Sequence, residues 1–138
     1  MVALTSNEGN AMSLMTYRVN ASIAVSDMER ARQFYEERLG LTKGARQADG
    51  AGIYECGGGT SLHVYPSPPS AGKTVGTVAT WYVADLERVV DELSAVGVTF
   101  EQYDDPQLQS DGKGIHVLDD GRVAWFRDPD GNTFAIEE

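Results

Sequence analysis

A six-residue pattern that occurs twice, 58 residues apart, decides the fold. It reads Val25-Ser26-Asp27-Met28-Glu29-Arg30 early in the chain and Val83-Ala84-Asp85-Leu86-Glu87-Arg88 later. Each copy follows an apolar, strand-like run and leads into apolar residues at three- and four-residue spacing, which is typical of an amphipathic helix. The S-x-x-E of the first copy is a capping box and predicts a helix that begins near Asp27. Glycines typical of helix ends follow at Gly40 and Gly97.

Short β-rich runs surround the two predicted helices. The predicted strands are 16–25, 42–47, 52–56 and 61–65 in the first half, and 75–83, 98–103, 115–118, 122–127 and 133–136 in the second. Turn-forming residues separate them, including Asp49-Gly50 and the glycine run 57–59. The order of elements therefore repeats, which indicates a β-α-β-β-β unit in each half.

These repeats predict the organisation of the chain. We expect a single domain over 16–138, with module one at 16–66, a proline-rich connector at 67–74 and module two at 75–138. The polar opening, 1–15, shows no periodicity. We expect it to be a mobile tail or partly introduced by cloning, with the natural start at Met12 or Met15.

Composition excludes several classes of partner. The 138 residues carry 21 acidic against 11 basic side chains, a net charge of -10 that repels nucleic acid and anionic membranes. This charge serves solubility or, as a second interpretation, attracts cationic ligands. A single cysteine, Cys56, permits no internal disulfide. With no long apolar run or signal-peptide pattern in the sequence, we expect a cytoplasmic protein.

Two further motifs carry a family resemblance. Phe34-Tyr35 precedes Leu39-Gly40-Leu41, and the chain closes with Phe126-Arg127-Asp128-Pro129-Asp130-Gly131-Asn132. With the repeated units, these motifs resemble the vicinal oxygen chelate superfamily of glyoxalases, extradiol dioxygenases and bleomycin-resistance proteins, over 17–138. The resemblance implies an α+β fold in which tandem βαβββ modules form a curved mixed sheet around a cleft, with helices outside. It also implies a homodimer.

Enzymes of this family commonly bind a divalent metal through four strand positions. The resemblance places those positions at Asn20, His63, Val78 and Ala135. Valine and alanine offer no lone pair and asparagine is a weak donor, whereas a catalytic metal needs about three protein ligands. We therefore expect neither metal nor other cofactor. An alternative site would combine His63 and His116 with aspartates of the inserted loop, 104–113, which is itself either a surface loop or a flap.

Strand alternation outlines a cleft around the same positions. Ile23, Leu62, Trp81 and Phe134 should face the core. The predicted ligand-binding residues are Asn20, Ser22, Ser61, His63, Tyr65, Val78, Thr80, Tyr82, Trp125 and Ala135. His63 is the best catalytic candidate, because imidazole titrates near neutral pH, although a structural histidine fits equally. His116 is expected at the surface or on an edge strand.

A cleft of this composition suits a small organic ligand. The favoured hypothesis is a metal-free protein that binds and sequesters such a molecule, in the manner of drug-resistance proteins. The alternative is a lyase, isomerase or dioxygenase of the glyoxalase type, with an unconventional metal site or His63 as the base. A third hypothesis is a scaffold or regulatory module whose cleft is filled by side chains.

Overall fold

The computed structural model describes residues 14–138, which form two four-stranded sheets and two α-helices. The strands are β1 (Ala21–Val25), β2 (Thr42–Arg46), β3 (Gly52–Glu55), β4 (Ser61–Pro66), β5 (Thr77–Tyr82), β6 (Ile115–Leu118), β7 (Gly121–Arg127) and β8 (Thr133–Glu137). The helices are α1 (Met28–Arg32), which continues as π-helical turns over Gln33–Arg38, and α2 (Leu86–Ala95). Short 3-10 turns lie at Leu14–Thr16 and Gly57–Gly59.

The two sheets have the same topology. Their strand orders are β1-β4-β3-β2 and β5-β8-β7-β6. In each, the first strand pairs in parallel with the last, and the remaining pairs are antiparallel. The predicted α+β fold of tandem βαβββ modules is thus confirmed.

The start of α1 differs from the predicted capping box. Asp27 is the N-cap, and its Oδ1 accepts hydrogen bonds from the amides of Glu29 and Arg30 at 2.9 and 3.2 Å. Ser26 instead donates through its amide and hydroxyl to the carboxylate of Asp130, at 3.0 and 2.6 Å. The sequence pattern located the helix correctly but assigned the cap to the wrong residue, because a distant carboxylate binds that serine.

Both modules contribute aromatic side chains to one core. Phe34 and Tyr35 of module one contact Phe126 and Phe134 of module two, with ring centroids 6.2 and 6.0 Å apart. Ile23, Leu62 and Phe134 are buried as predicted, whereas Trp81 is only half-buried. Burial of these large apolar surfaces is the main term that stabilises the pair of modules.

The predicted strand 98–103 is reduced to an isolated bridge between Phe100 and Phe126. Just beyond it, the amide of Tyr103 donates to Nε2 of His116 at 3.2 Å, so that amide bonds a side chain rather than a neighbouring strand. The chain then leaves the sheet as an irregular segment, which we call the 101–114 loop. A backbone amide that finds a side-chain acceptor no longer extends a strand ladder.

Within 14–138, no helix is long and apolar enough to cross a membrane. Of the predicted tail, 1–13 lie outside the described residues.

Candidate functional site

A cavity opens where an edge strand of each sheet, β1 of module one and β5 of module two, lie side by side. We call it the seam cavity; its volume is about 610 Å³. Its lining residues are Val19, Asn20, Ala21, Cys56, Gly57, Thr60, Ser61, Leu62, Ala79, Thr80, Trp81 and Tyr82. Four of the ten predicted ligand-binding residues are among them: Asn20, Ser61, Thr80 and Tyr82. Small-molecule sites commonly have volumes of about 300–1,000 Å³.

The lining of the seam cavity is mostly apolar with scattered hydroxyl groups. Trp81 and Leu62 provide apolar walls, whereas Thr80 and Ser61 offer groups that donate and accept hydrogen bonds. Burial raises the pKa of the Cys56 thiol, which therefore stays protonated at neutral pH. This combination suits an organic ligand that makes a few hydrogen bonds.

A more polar recess of about 350 Å³ continues from the seam cavity across module one. It shares Val19, Asn20 and Ser61 with the seam cavity and adds one residue of each charge, Arg18 and Glu55. The Arg18 guanidinium lies 3.4 Å from the hydroxyl oxygen of Ser61. A ligand longer than the seam cavity would therefore meet charged groups at this end.

His63 lies on β4, two residues beyond Ser61, and outside the lining of the seam cavity. Its Nε2 is 3.1 Å from Oε1 of Gln47, and its Nδ1 is 3.5 Å from Oγ of Ser22. Its ring stacks on Tyr65, with centroids 5.4 Å apart and planes inclined by 20°. Because the Gln47 oxygen can only accept, Nε2 carries the proton and Nδ1 is left to accept one.

The structure divides the predicted site residues into separate groups. Ser22, His63 and Tyr65 share one face of module one, since Ser22 and His63 are partners in the β1–β4 register. On module two, Trp125 pairs with Ala135, which is 3% exposed. The ring of Tyr103 lies edge-on to that of Trp125, with centroids 5.5 Å apart.

Val78 is half-buried and packs against the core at a break in the β5–β8 register. It therefore does not join the seam cavity, although Thr80 does.

The four family ligand positions do not fit a divalent metal. Val78 and Ala135 have no donor atom, and both ring nitrogens of His63 lie within 3.5 Å of other side chains. Across 14–138, no three His, Cys, Asp or Glu side chains are grouped closely enough to hold a metal ion. That also applies to the alternative set of His63, His116 and the loop aspartates.

His116 does lie on an edge strand, β6, but it is 0% exposed rather than at the surface. Surface exposure, the other predicted alternative, is wrong, because nothing in the sequence shows that Tyr103 folds back over this position. Trp81, Ala79 and Cys56 were also missed as lining residues. Alternation along β5 placed Trp81 towards the core, and only the meeting of two sheet edges exposes part of it to the cavity.

Paired βαβββ modules that meet at a central cavity define a recognised class of proteins. The sequence profile of the Glyoxalase/Bleomycin resistance protein/Dioxygenase superfamily matches residues 18–136, and the chain belongs to this superfamily.

Solved structures agree with this assignment. An antibiotic-binding protein from Streptomyces sp. CB03234 is 26% identical, with a TM-score of 0.64 over 88% of this chain and 93% of that one. A superfamily member from Sphaerobacter thermophilus is 25% identical, with a TM-score of 0.69 over 91% and 99%. A lactoylglutathione lyase from Agrobacterium tumefaciens shares the fold alone, at 17% identity and a TM-score of 0.66 over 89% and 93%. Among curated proteins, none matches this sequence.

Proposed function

We propose that this protein binds a small organic molecule in the seam cavity and sequesters it. The observation that carries the proposal is the cavity itself, about 610 Å³ in volume, with walls from both modules and a mainly apolar lining. The antibiotic-binding protein from Streptomyces, at 26% identity, supports this function over others within the superfamily.

The lining indicates the chemistry of the ligand. Trp81 and Tyr82 offer ring faces, and Thr80 and Ser61 offer hydroxyls, so an aromatic ligand with a few polar groups is complementary. A net charge of -10 favours neutral or cationic molecules over anions. Binding requires no metal in this proposal, since two of the four family ligand positions, Val78 and Ala135, have no donor atom. A homodimer, a cytoplasmic location and ligand contacts by the remaining predicted site residues stay predictions.

A ligand screen with one cavity-filling variant tests the proposal. Thermal-shift and equilibrium-dialysis measurements against aromatic neutral and cationic natural products should find ligands that stabilise the wild type. Thr80→Trp should fill the cavity and abolish binding, whereas Thr99→Trp, at an exposed position of module two, should bind normally. Ligands that bind both variants equally well would exclude the seam cavity as the site.

A second function, lyase or isomerase activity with His63 as base, is favoured by one observation. With Gln47 holding the proton on Nε2, the Nδ1 of a half-buried imidazole is left to accept a proton from a bound substrate. Since His63 lies outside the lining of the seam cavity, such a substrate would bind along the β1–β4 face beside Ser22. His63→Gln should then abolish any lyase or isomerase turnover, while leaving the dissociation constants of seam-cavity ligands nearly unchanged. Turnover that survives this substitution would contradict the assignment of His63 as base.

A further inference from the structure

The 101–114 loop is held over module two by a contact between a backbone amide and a buried histidine. The Tyr103 amide donates to Nε2 of His116 at 3.2 Å. His116 is 0% exposed and packs between the rings of Tyr103 and Trp125, whose centroids lie 5.5 and 5.2 Å from its own. The loop therefore covers Trp125 by means of these three rings.

This contact requires a neutral imidazole with a defined tautomer. Since Nε2 accepts a hydrogen bond, the ring proton must lie on Nδ1. Among the described residues, Nδ1 of His116 is the buried side-chain nitrogen or oxygen that has no hydrogen-bond partner. A second proton on Nε2 would set one N–H against another and place a charge in a site closed to water, which is strongly unfavourable.

We propose that Tyr103 and His116 form a pH-sensitive latch, which holds the 101–114 loop closed over Trp125 on module two and releases it when His116 is protonated. Because the closed loop holds His116 neutral, the open state binds one more proton. Its population therefore rises as the pH falls through the ordinary titration range of an exposed imidazole, near about 6.5.

The charged groups on the strands packed against His116 do not account for the expected pH dependence of loop opening. On the sheet face that His116 shares, alternation places Arg127 of β7 and Glu137 of β8. His116 pairs with Val123 on β7, which in turn pairs with Glu137 on β8. Glu137 is therefore two strand spacings, or about 10 Å, from His116. Neither is hydrogen-bonded to the His116 ring in the described chain.

Two charged groups of the loop, Asp111 and Lys113, keep their state between pH 5.5 and 8. Burial opposes ionisation of Asp111, but the amides of Lys113 and Ile115 outweigh it and hold the pKa of that carboxyl below its usual range. Hydrogen bonds to Glu87 and Asp91 raise the pKa of Lys113. The other acidic residues of the loop are Glu101, which is half-buried, and Asp104 and Asp105, which are exposed. The far end of the loop therefore stays attached to α2 while the Tyr103 end opens.

The consequence for binding rests on the proposed function. Thr80 of the seam cavity pairs with Ala135, which pairs with Trp125, so an open loop would uncover a ring in the same cross-strand row on which a ligand can stack. The latch itself does not depend on any ligand. The latch is tested on ligand-free protein, so a negative result would leave the proposed ligand binding untouched. Likewise, a failure to find ligands would leave the latch untouched.

Hydrogen exchange of the Tyr103 amide, read by NMR at pH 8 and pH 5.5 and corrected for intrinsic rates, tests the latch. Its protection should fall about 10-fold at the lower pH, while the Val64 amide in module one keeps its protection. His116→Gln offers a neutral acceptor in place of Nε2 and should abolish the pH dependence. His63→Gln removes the other of the two histidines and should preserve it.

Protection of the Tyr103 amide that is equal at both pH values in the wild type would overturn the proposal. A pH dependence that survives in His116→Gln, or disappears in His63→Gln, would do the same. Should His116→Gln fail to fold, the imidazole nitrogen shifts of the wild type decide. They must show the Nδ1–H tautomer at pH 8 and protonation of His116 in step with the loss of protection, and any other tautomer contradicts the latch.

Discussion

The hydroxyl of Tyr35 donates a 2.7 Å hydrogen bond to Oδ2 of Asp128, and so joins the helix of module one to the closing turn of module two. The same oxygen accepts from Nδ2 of Asn132, which also donates to the carbonyl of Ala24 on β1, both at 2.9 Å. The Asp-Pro-Asp-Gly-Asn turn is therefore more than a hairpin connection. It fixes module two against β1 and α1, and the position of β1 defines one wall of the seam cavity.

Removal of the Tyr35 hydroxyl should destabilise the protein. Tyr35→Phe keeps the buried ring but leaves the 5%-exposed Asp128 with one donor fewer, at an expected loss of about 1.5–3 kcal/mol in the free energy of unfolding. Urea unfolding at pH 7 measures this loss. Tyr17→Phe, at a tyrosine that is 69% exposed, is the matched control and should change stability by less than about 0.5 kcal/mol. Equal effects of the two substitutions would refute the role of this hydrogen bond.

Tyr35 should also make stability depend on alkaline pH. Burial, followed by the charge of Asp128, raises the pKa of Tyr35 far above its ordinary value. A pKa raised in the folded state gives stability that is complete below about pH 10, where the unfolded phenol titrates, and is lost as the pH rises further.

The expected contribution is about 1.4 kcal/mol per pH unit above that point. Burial also raises the pKa of Tyr54, so Tyr35→Phe should reduce the slope of stability against pH without removing it. An unchanged slope between pH 10.5 and 12 in urea titrations would show that Tyr35 is not the group responsible.

The connector between the modules should be sensitive at Gly72. Gly72 and Gly58 have nearly the same positive φ, 68° and 65°, so alanine at either position bears a similar backbone strain of about 1–2 kcal/mol. A Cβ at Gly72 would in addition collide with the carbonyl oxygen of Asp130, whereas one at Gly58 meets no described atom within 4 Å.

Gly72→Ala should therefore lower the free energy of unfolding by about 1–3 kcal/mol more than Gly58→Ala does. Thermal or urea unfolding of the pair measures this difference. If the two variants are equally stable, the connector does not pack against the closing turn as described.

Cys56 should report on occupancy of the seam cavity. It is the single cysteine of the chain, and burial raises the pKa of its thiol, so iodoacetamide should alkylate it more slowly than free cysteine at pH 7.5. Filling the cavity with Thr80→Trp should slow alkylation further, and Thr99→Trp should leave the rate unchanged. Mass spectrometry of timed samples measures both rates. If Thr80→Trp does not change the alkylation rate, iodoacetamide reaches Cys56 by a route other than the seam cavity.

The sequence predicted the architecture because its signals are local. The repeated V-x-D-x-E-R pattern, the helix-ending glycines and the strand periodicity each depend on near neighbours. Long-range contacts explain the failures. Ser26 was assigned to the cap of α1, but a carboxylate 104 positions further along the chain binds it.

The candidate site was predictable only in part, for a related reason. Alternation identifies which residues of one strand share a face, and it correctly grouped Ser22 with His63 across β1 and β4. It cannot show how the edges of two sheets meet, so it missed Trp81 in the seam cavity. Nor can it show which loop covers a face, so it placed His116 at the surface or on an edge strand without indicating that this edge position is buried.

Amide chemical-shift mapping during a titration with a ligand from the screen tests the central claim most directly. Binding in the seam cavity should shift the amides of Asn20, Ser61 and 79–82 at a common dissociation constant. A second apolar cavity of about 290 Å³ lies between the end of the module-one helix and α2, lined by Leu39, Val89 and Leu93 among others. Shifts confined to those residues, with none along β5, would contradict ligand binding at the seam.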